Sequence, residues 1–402
     1  MHYILPHIIE ESSKKYPNKI AFRYKDQTIS YLQLYRKSTQ VSNVLLHWGV
    51  KRGDRVGIYL DRCLENAAAI YGIMSAGAAY VPLDPFAPAE RTRYLLEDCT
   101  IQFVISNPNV VRPLQNVLSE KTQVSGVIGC KPKEIEKTIS WEEVGQMSEV
   151  KEAIPILDQD LAYIMYTSGT TGNPKGIMHT HRSGLEYAKL SADLYKVNKD
   201  DIIGNHASLY VDISTFGYFS APLSGATTVI IPEAHTKMPA SLARLIEKEK
   251  LTIWYSVPLV LIQLLQNKLV KKDSMSSLRW VLYGGESFPT KHIIDLKKLW
   301  PHVRFSNVYG PAEVNQCTYH HIESVPKIDD QIPIGKAWGN TELLVVDKQD
   351  NELTFGNTGE LLVRTSTMMN GYWRRPDLTA KALYKKEEPQ VLLKRITGQE
   401  IL

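Results

Sequence analysis

Residues 161–176 read LAYIMYTSGTTGNPKG, an apolar run that opens into a loop of small and hydroxylated residues and ends at a lysine and a glycine. Gly169 and Gly172 let the backbone approach an anion closely with its N–H groups turned toward it. Lys175 adds a positive charge at the end of the loop. The hydroxyl donors are Thr167, Ser168, Thr170 and Thr171. The stretch predicts a strand followed by a phosphate-binding loop.

This loop is not a Walker A loop, because the GxxxxGK pattern would need a glycine where Pro174 stands. A flexible, hydroxyl-rich turn is the alternative interpretation. The length of the pattern favours the phosphate loop, since short motifs produce most false matches.

Strand-like and helix-like periods alternate on both sides of the loop, which is typical of α/β layers. AFRYKDQTISY, residues 21–31, predicts a hairpin around Lys25 and Asp26, followed by a helix capped by Ser30. The lysine-rich residues 131–151 predict a solvated connection. Short β runs such as ELLVVD and GELLVR follow Pro326. The approximate blocks are 1–150 and 151–325, both α/β, and 326–402, a β-rich appendage.

The composition excludes several classes of protein. The chain has 402 residues, of which 43% are hydrophobic and 22% are charged, so a disordered polymer is excluded. The formal net charge of +4 comes from scattered residues and does not indicate a nucleic-acid partner. The four cysteines form no CxxC pair, and the first residues lack a secretion signal. We therefore expect a cytoplasmic protein without a membrane partner.

Several further motifs follow in a fixed order: ISYLQL at 29–34, MSAGAAYVPLDP at 74–85, VDIS at 211–214, YGGES at 283–287, NVYGPAE at 307–313 and GYWRRPDLT at 371–379. Together with YTSGTTGNPKG they resemble the adenylate-forming superfamily of acyl-CoA synthetases, luciferases and adenylation domains of nonribosomal peptide synthetases. The resemblance implies the large N-terminal domain of these enzymes: two stacked, doubly wound α/β subdomains with a small β-rich subdomain.

The resemblance also implies an ATP and Mg²⁺ site. Tyr309 would stack on adenine, Asn307 would contact its edge and Glu313 would hold magnesium. The implied catalytic residues are Thr167, Lys175 and Glu313. The implied nucleotide-binding residues are Thr167, Ser168, Gly169, Thr170, Thr171, Gly172, Lys175, Gly284, Gly285, Glu286, Asn307, Tyr309 and Gly310. Ala312 departs from the usual threonine. A surface carboxylate at Glu313 and a plain turn at Gly284 and Gly285 are the alternatives.

Asp212 resembles the aspartate with which amino-acid-activating members hold the α-ammonium group of their substrate. A carboxylate beside an apolar pocket needs such a counter-charge. A helix cap is the alternative role for this aspartate. The implied substrate-binding residues are Asp212, Ile213, Phe216, Tyr255, Leu282, Gly284, Val308 and Gln316, with Cys317 beside them. Val211 departs from the usual phenylalanine.

These positions predict an amino-acid-activating ligase. It would form an aminoacyl-adenylate and pyrophosphate from ATP and then load the thiol of a carrier protein. The apolar lining favours a small neutral amino acid and is similar to that of free-standing prolyl-adenylating enzymes. An acyl-CoA ligase for a small carboxylic acid, a noncatalytic nucleotide- or carrier-binding module and a structural scaffold are the alternatives.

Two further expectations concern the histidines and the chain end. His179 and His181 follow the loop without metal-ligand spacing, which indicates a structural or solvent-facing role. Thr397, Gly398 and Gln399 stand where the family has TGD, and the resemblance implies that the small C-terminal domain is absent. We therefore expect slow adenylation and no completed thioester transfer by these 402 residues alone.

Overall fold

The computed structural model describes residues 2–167, 174–354, 356–385 and 392–396, the last segment and Lys385 by their backbone only. The helices are α1 (Pro6–Lys15), α2 (Tyr31–His47), α3 (Glu65–Ser75), α4 (Ala89–Asp98), α5 (Val111–Leu118), α6 (Trp141–Val144), α7 (His181–Leu194), α8 (Ala221–Leu223), α9 (Glu233–Lys237), α10 (Pro239–Lys248), α11 (Pro258–Gln266), α12 (Thr290–Leu299) and α13 (Pro376–Ala382). A 3₁₀ turn lies at Pro108–Val110 and a π-helical turn at Phe216–Ser220.

The strands lie between these helices. They are β1 (Ile20–Tyr24), β2 (Gln27–Ser30), β3 (Arg55–Ile58), β4 (Ala79–Pro82), β5 (Phe103–Ile105), β6 (Gly126–Gly129), β7 (Lys137–Ser140), β8 (Leu161–Thr167), β9 (Lys175–Thr180), β10 (Ile202–Asn205), β11 (Thr227–Ile230), β12 (Ile253–Ser256), β13 (Trp280–Gly284), β14 (Arg304–Tyr309), β15 (Thr318–Ile322), β16 (Lys336–Ala337), β17 (Glu342–Val346), β18 (Glu360–Arg364), β19 (Gly371–Tyr372), β20 (Leu383–Lys385) and β21 (Leu392–Ile396).

These strands form three sheets. The eight-stranded sheet has the order β19-β9-β8-β4-β3-β5-β6-β7 and is parallel from β8 to β7. The nine-stranded sheet has the order β16-β15-β14-β13-β12-β10-β11-β1-β2 and is parallel from β14 to β1. The four-stranded sheet, β17-β18-β21-β20, is antiparallel. Two large α/β sheets and a small β sheet agree with the predicted fold class.

The sheets do not follow the approximate sequence blocks. The hairpin of β1 and β2, early in the chain, pairs with β11 in the nine-stranded sheet. The later hairpin of β8 and β9 pairs with β4 in the eight-stranded sheet. Two strands of the block 326–402 pair outside the small sheet: β16 pairs with β15 in the nine-stranded sheet, and β19 pairs with β9 in the eight-stranded sheet. A boundary near residue 150 therefore does not separate the two large sheets.

The structure corrects the expectation for residues 131–151. This stretch contains β7, which is the edge strand of the eight-stranded sheet, and the short helix α6. Ser140 caps α6 through a reciprocal capping box with Glu143. An edge strand of four residues with the exposed Lys137 shows too little alternation to be recognised by its period.

Local signals set the predicted β1–β2 hairpin and the helix that follows it. Ser30 caps α2, with a capping box to Gln33. The small residues of α3 pack tightly against α2, because a Cβ on Gly72 would lie 2.6 Å from the Cγ1 of Val41. Their contact belongs to the largest buried cluster, which extends to Tyr163 on β8. No helix in the described ranges combines the length and apolarity that crossing a membrane requires.

Candidate active site

The predicted phosphate loop connects two paired strands. β8 and β9 are antiparallel, with Thr167 opposite Lys175, so the loop is the connection of a hairpin. Both of these residues are half-buried. The predicted loop residues Ser168, Gly169, Thr170, Thr171 and Gly172 lie outside the described residues. Thr167, at the end of β8, and Lys175, at the start of β9, are therefore the two predicted residues of this stretch whose positions are described.

The predicted adenine residues lie together around one cavity. It has a volume of about 660 Å³ and lies at the carboxyl ends of β13 and β14, where ligands bind in parallel α/β sheets. Five of the predicted nucleotide-binding residues line it: Gly285, Glu286, Asn307, Tyr309 and Gly310. Burial raises the pKa of Tyr309 to about 12, so its ring stays neutral at physiological pH. The roles of these residues in nucleotide binding remain predictions.

Glycine is needed at two of these positions. A Cβ on Gly284 would lie 2.3 Å from the carbonyl oxygen of Val308 on the neighbouring strand. A Cβ on Gly310 would lie 2.6 Å from the Cα of Gln316, where the chain turns back on itself. Close backbone approach explains both glycines, whereas Gly285 has a φ of +91° and open space around a Cβ, as expected for a turn.

The predicted magnesium ligand has a partner that the sequence analysis missed. The hydroxyl of Tyr372 donates a hydrogen bond of 2.5 Å to Oε1 of Glu313. The Nζ of Lys175 lies 5.7 Å from the centre of the same tyrosine ring. Burial and the neighbouring Glu313 carboxylate raise the pKa of Tyr372 far above its ordinary value, so the hydroxyl remains a donor. The motif GYWRRPDLT contains this residue, but the motif alone does not indicate its contact.

The two histidines after the loop are structural. His179 is buried, stacks on Tyr163 at 4.9 Å and donates from Nε2 to the carbonyl oxygen of Ala312 at 2.9 Å. His181 is fully buried, and this burial lowers its pKa to about 3. Neither faces solvent. His179 connects β9 to the turn that carries Glu313.

The predicted pocket residues share a buried aromatic cluster. The Phe216 ring packs edge-on against Tyr195 and Tyr255, with ring centres 6.0 Å apart in each case. Ile213, Leu282 and Val308 belong to the same cluster. Gln316 is buried and donates from Nε2 to the Tyr195 hydroxyl at 3.4 Å.

Cys317 does not join this cluster. It packs with Val314 and Leu361 toward the small sheet, because adjacent residues of an extended chain point to opposite faces. Its predicted place beside the pocket residues is therefore wrong with respect to its side chain.

Asp212 lies half-buried beside the aromatic cluster. Its Oδ1 accepts a hydrogen bond of 2.9 Å from the backbone N–H of Ile213. A helix cap would instead accept from the N–H of Ser214 or Thr215, two or three residues on. Burial, with a contribution from the Glu313 carboxylate, raises the pKa of Asp212 to about 6. Glu313 is therefore close enough to Asp212 to affect its titration.

The cavity at the carboxyl ends of β13 and β14 is thus lined by residues of the YGGES and NVYGPAE motifs. The chain matches the AMP-binding enzyme family over residues 9–373 and belongs to that family. It is an ATP-dependent, AMP-forming ligase.

Three known proteins show how far the likeness extends. An L-proline–[L-prolyl-carrier protein] ligase of Pseudomonas fluorescens is 30% identical over 91% of this chain and 72% of its own length. The ligase of the same name from Streptomyces coelicolor is 32% identical over 91% of this chain and 70% of its own length. The crystal structure of the nonribosomal peptide synthetase FmoA3 matches with a TM-score of 0.87 at 24% identity, over 98% of this chain and 41% of that one.

Proposed function

We propose that this protein adenylates a small neutral amino acid for transfer to the thiol of a carrier protein in nonribosomal peptide synthesis. The observation that carries the proposal is the half-buried Asp212 carboxylate beside the buried aromatic cluster of Phe216 and Tyr255. Within the described part of the chain this carboxylate forms no ion pair. A substrate ammonium group would supply the missing charge and the hydrogen-bond donors.

L-Proline is the amino acid that the predicted substrate-binding residues favour. Ile213, Phe216 and Leu282 are apolar, and apart from Asp212 the predicted substrate-binding residues include no Lys, Arg, Asp or Glu that would pair with a charged side chain. Two relatives that are 30% and 32% identical carry the name of L-proline–carrier protein ligases. Desolvation would disfavour an acidic or basic side chain in such surroundings.

The residues at the nucleotide site fit Mg²⁺ and ATP. The carboxylate of Glu313 supplies the hard oxygen ligand that Mg²⁺ prefers, and Mg²⁺ usually combines one or two carboxylates with substrate phosphates. Bound there, the ion would neutralise the phosphate charge and polarise the reacting phosphate. Lys175 would approach the same phosphates from β9, together with Thr167.

We further infer a cytoplasmic location.

The proposed reaction has two steps. A carboxylate oxygen of the amino acid attacks the α-phosphorus of ATP, and the bond from that phosphorus to the bridging oxygen breaks, which releases pyrophosphate. The carrier thiolate then attacks the acyl carbon, and AMP leaves. The protein contributes position and charge rather than a covalent bond. Asp212 would hold the ammonium group, and Asn307 and Tyr309 would hold the adenine.

Amino-acid-dependent exchange of labelled pyrophosphate into ATP tests this proposal. We expect exchange above background with L-proline and weaker or no exchange with the other common amino acids. Cyclopentanecarboxylic acid is the matched control, since it has the ring and carboxylate of proline but no ammonium group. Binding of a non-hydrolysable prolyl-adenylate analogue, measured by calorimetry, provides a readout that does not depend on turnover.

The possible outcomes separate the parts of the proposal. Exchange with another amino acid but not with proline would reject proline and keep amino-acid activation. Equal exchange with cyclopentanecarboxylic acid would reject the role of the ammonium group and favour an acyl-CoA ligase. Analogue binding without any exchange would favour a noncatalytic nucleotide-binding module.

A further inference from the structure

Residues 369–373 connect the two parts of the proposed nucleotide site. The backbone N–H of Met369 donates to the carbonyl oxygen of Glu313 at 2.7 Å. The N–H groups of Asn370 and Trp373 donate to carbonyl oxygens of β9, at Met178 and Gly176. Strand β19, within this segment, pairs with β9 in antiparallel fashion. The segment therefore holds the turn of Glu313 against the strand that begins at Lys175.

Tyr372 makes the same connection with its side chain. Its ring is buried, with 8% of the residue exposed, and packs with Ile177 and Met369. One end of the side chain, the hydroxyl, contacts the Glu313 carboxylate, and the face of the ring lies near the Lys175 ammonium. A buried ring has one well-populated orientation, so its hydroxyl is a fixed donor.

A fixed donor matters because glutamate is a flexible ligand. An unrestrained Glu side chain must be ordered when it binds a metal ion, whereas a hydrogen-bonded one is already ordered. Partners of metal ligands act in this way throughout metalloproteins, and their removal typically weakens metal binding by about 10–100-fold.

We propose that Tyr372 is a positioning residue for the magnesium carboxylate, with its hydroxyl holding Glu313 in the orientation that binds Mg²⁺ together with ATP. The proposal rests on the proposed function only in assigning magnesium to Glu313. Tyr372 itself touches neither the nucleotide nor the amino acid in this assignment.

The test is ATP binding by Tyr372→Phe, measured by calorimetry with Mg²⁺ and again with EDTA. The variant keeps the ring and its packing and removes only the hydroxyl. We expect affinity for ATP to fall by about 10-fold in Mg²⁺ and to stay unchanged in EDTA. Tyr71→Phe is the matched control, because it removes a buried hydroxyl that donates to the Tyr218 carbonyl at 2.6 Å, and neither residue is a predicted nucleotide or magnesium ligand. The control should bind ATP like the wild type in both conditions.

A double-mutant cycle distinguishes positioning from general stabilisation. In a Glu313→Gln background the hydroxyl has no carboxylate to orient, so Tyr372→Phe should cause no further loss of Mg²⁺-dependent affinity. Equal losses with Mg²⁺ and with EDTA, the same loss in Tyr71→Phe, or an undiminished loss in the Glu313→Gln background would each overturn the proposal. These measurements need no amino acid, so failure of the substrate assignment in the exchange assay is a separate result.

Discussion

Asp212 shows how one residue can set both affinity and pH dependence. Its carboxylate must be ionised to attract an ammonium group, yet burial raises its pKa to about 6 in the free protein. Below that pH the neutral acid predominates, and the attraction is lost. Above it the carboxylate is charged, at an energetic cost that a bound ammonium group offsets.

We therefore predict that kcat/KM for the amino acid rises with pH through about 6 and then levels off, because kcat/KM reports the groups of the free enzyme. Asp212→Asn should raise KM for the amino acid on the order of 100-fold, as expected for loss of one partner of a buried charge pair. KM for ATP should remain near its wild-type value. Initial exchange rates between pH 5 and 8 provide the measurement, with the range chosen to span the raised pKa.

Two results would count against this role of Asp212. One is a parallel rise in the KM of ATP, which would indicate a damaged fold. The other is a step near pH 6 that persists in Asp212→Asn, since another group would then be titrating.

The elements around the site depend on close contact between parallel strands. β13 ends at Gly284 beside Val308 of β14, and this pair carries pocket and adenine residues on successive positions. A side chain at Gly284 would meet backbone, which cannot rotate away. The strand pair is therefore more sensitive to added volume than most strands are.

We predict that Gly284→Ala destabilises the protein by about 1–3 kcal/mol, the usual range for overpacking. Gly57→Ala is the matched control on β3, because its Cβ would meet the mobile Cδ1 of Leu83 at 2.9 Å rather than a carbonyl oxygen. Urea denaturation should show a clearly larger decrease in midpoint for Gly284→Ala. Equal midpoints for the two variants would contradict the strand-contact argument.

At the scale of the whole molecule, neither large sheet is built from one continuous part of the chain. The β1–β2 hairpin pairs with β11, and the β8–β9 hairpin pairs with β4, so each sheet takes strands from both sides of residue 150. Arg52 and Asp160, which lie on either side of residue 150, form a bidentate ion pair with N···O distances of 2.6 and 2.7 Å. The two sheets are therefore parts of one folding unit.

We predict that residues 1–150 and residues 151–402 do not fold when they are produced separately. The second fragment would lack β1 and β2, and its hairpin of β8 and β9 would expose an unpaired edge. Circular dichroism during urea denaturation should show no cooperative transition for either fragment. Production of both fragments together should restore one. A cooperative transition of the second fragment alone, at the midpoint of the intact chain, would contradict this view.

The sequence by itself determined the features that depend on neighbouring residues. Turn chemistry predicted the hairpin at Lys25 and the cap at Ser30, and the family resemblance grouped Asn307 with Tyr309, which line one cavity. These are predictable because backbone conformation, capping and strand-end position are set within a few residues.

Only the tertiary structure decided the contacts between distant segments. It brings Tyr372 into contact with Glu313 across 59 positions, packs Cys317 with Val314 and Leu361, and places β8 and β9 in the eight-stranded sheet. No local pattern specifies such contacts, because they depend on which strands pair and on which face each side chain then points to.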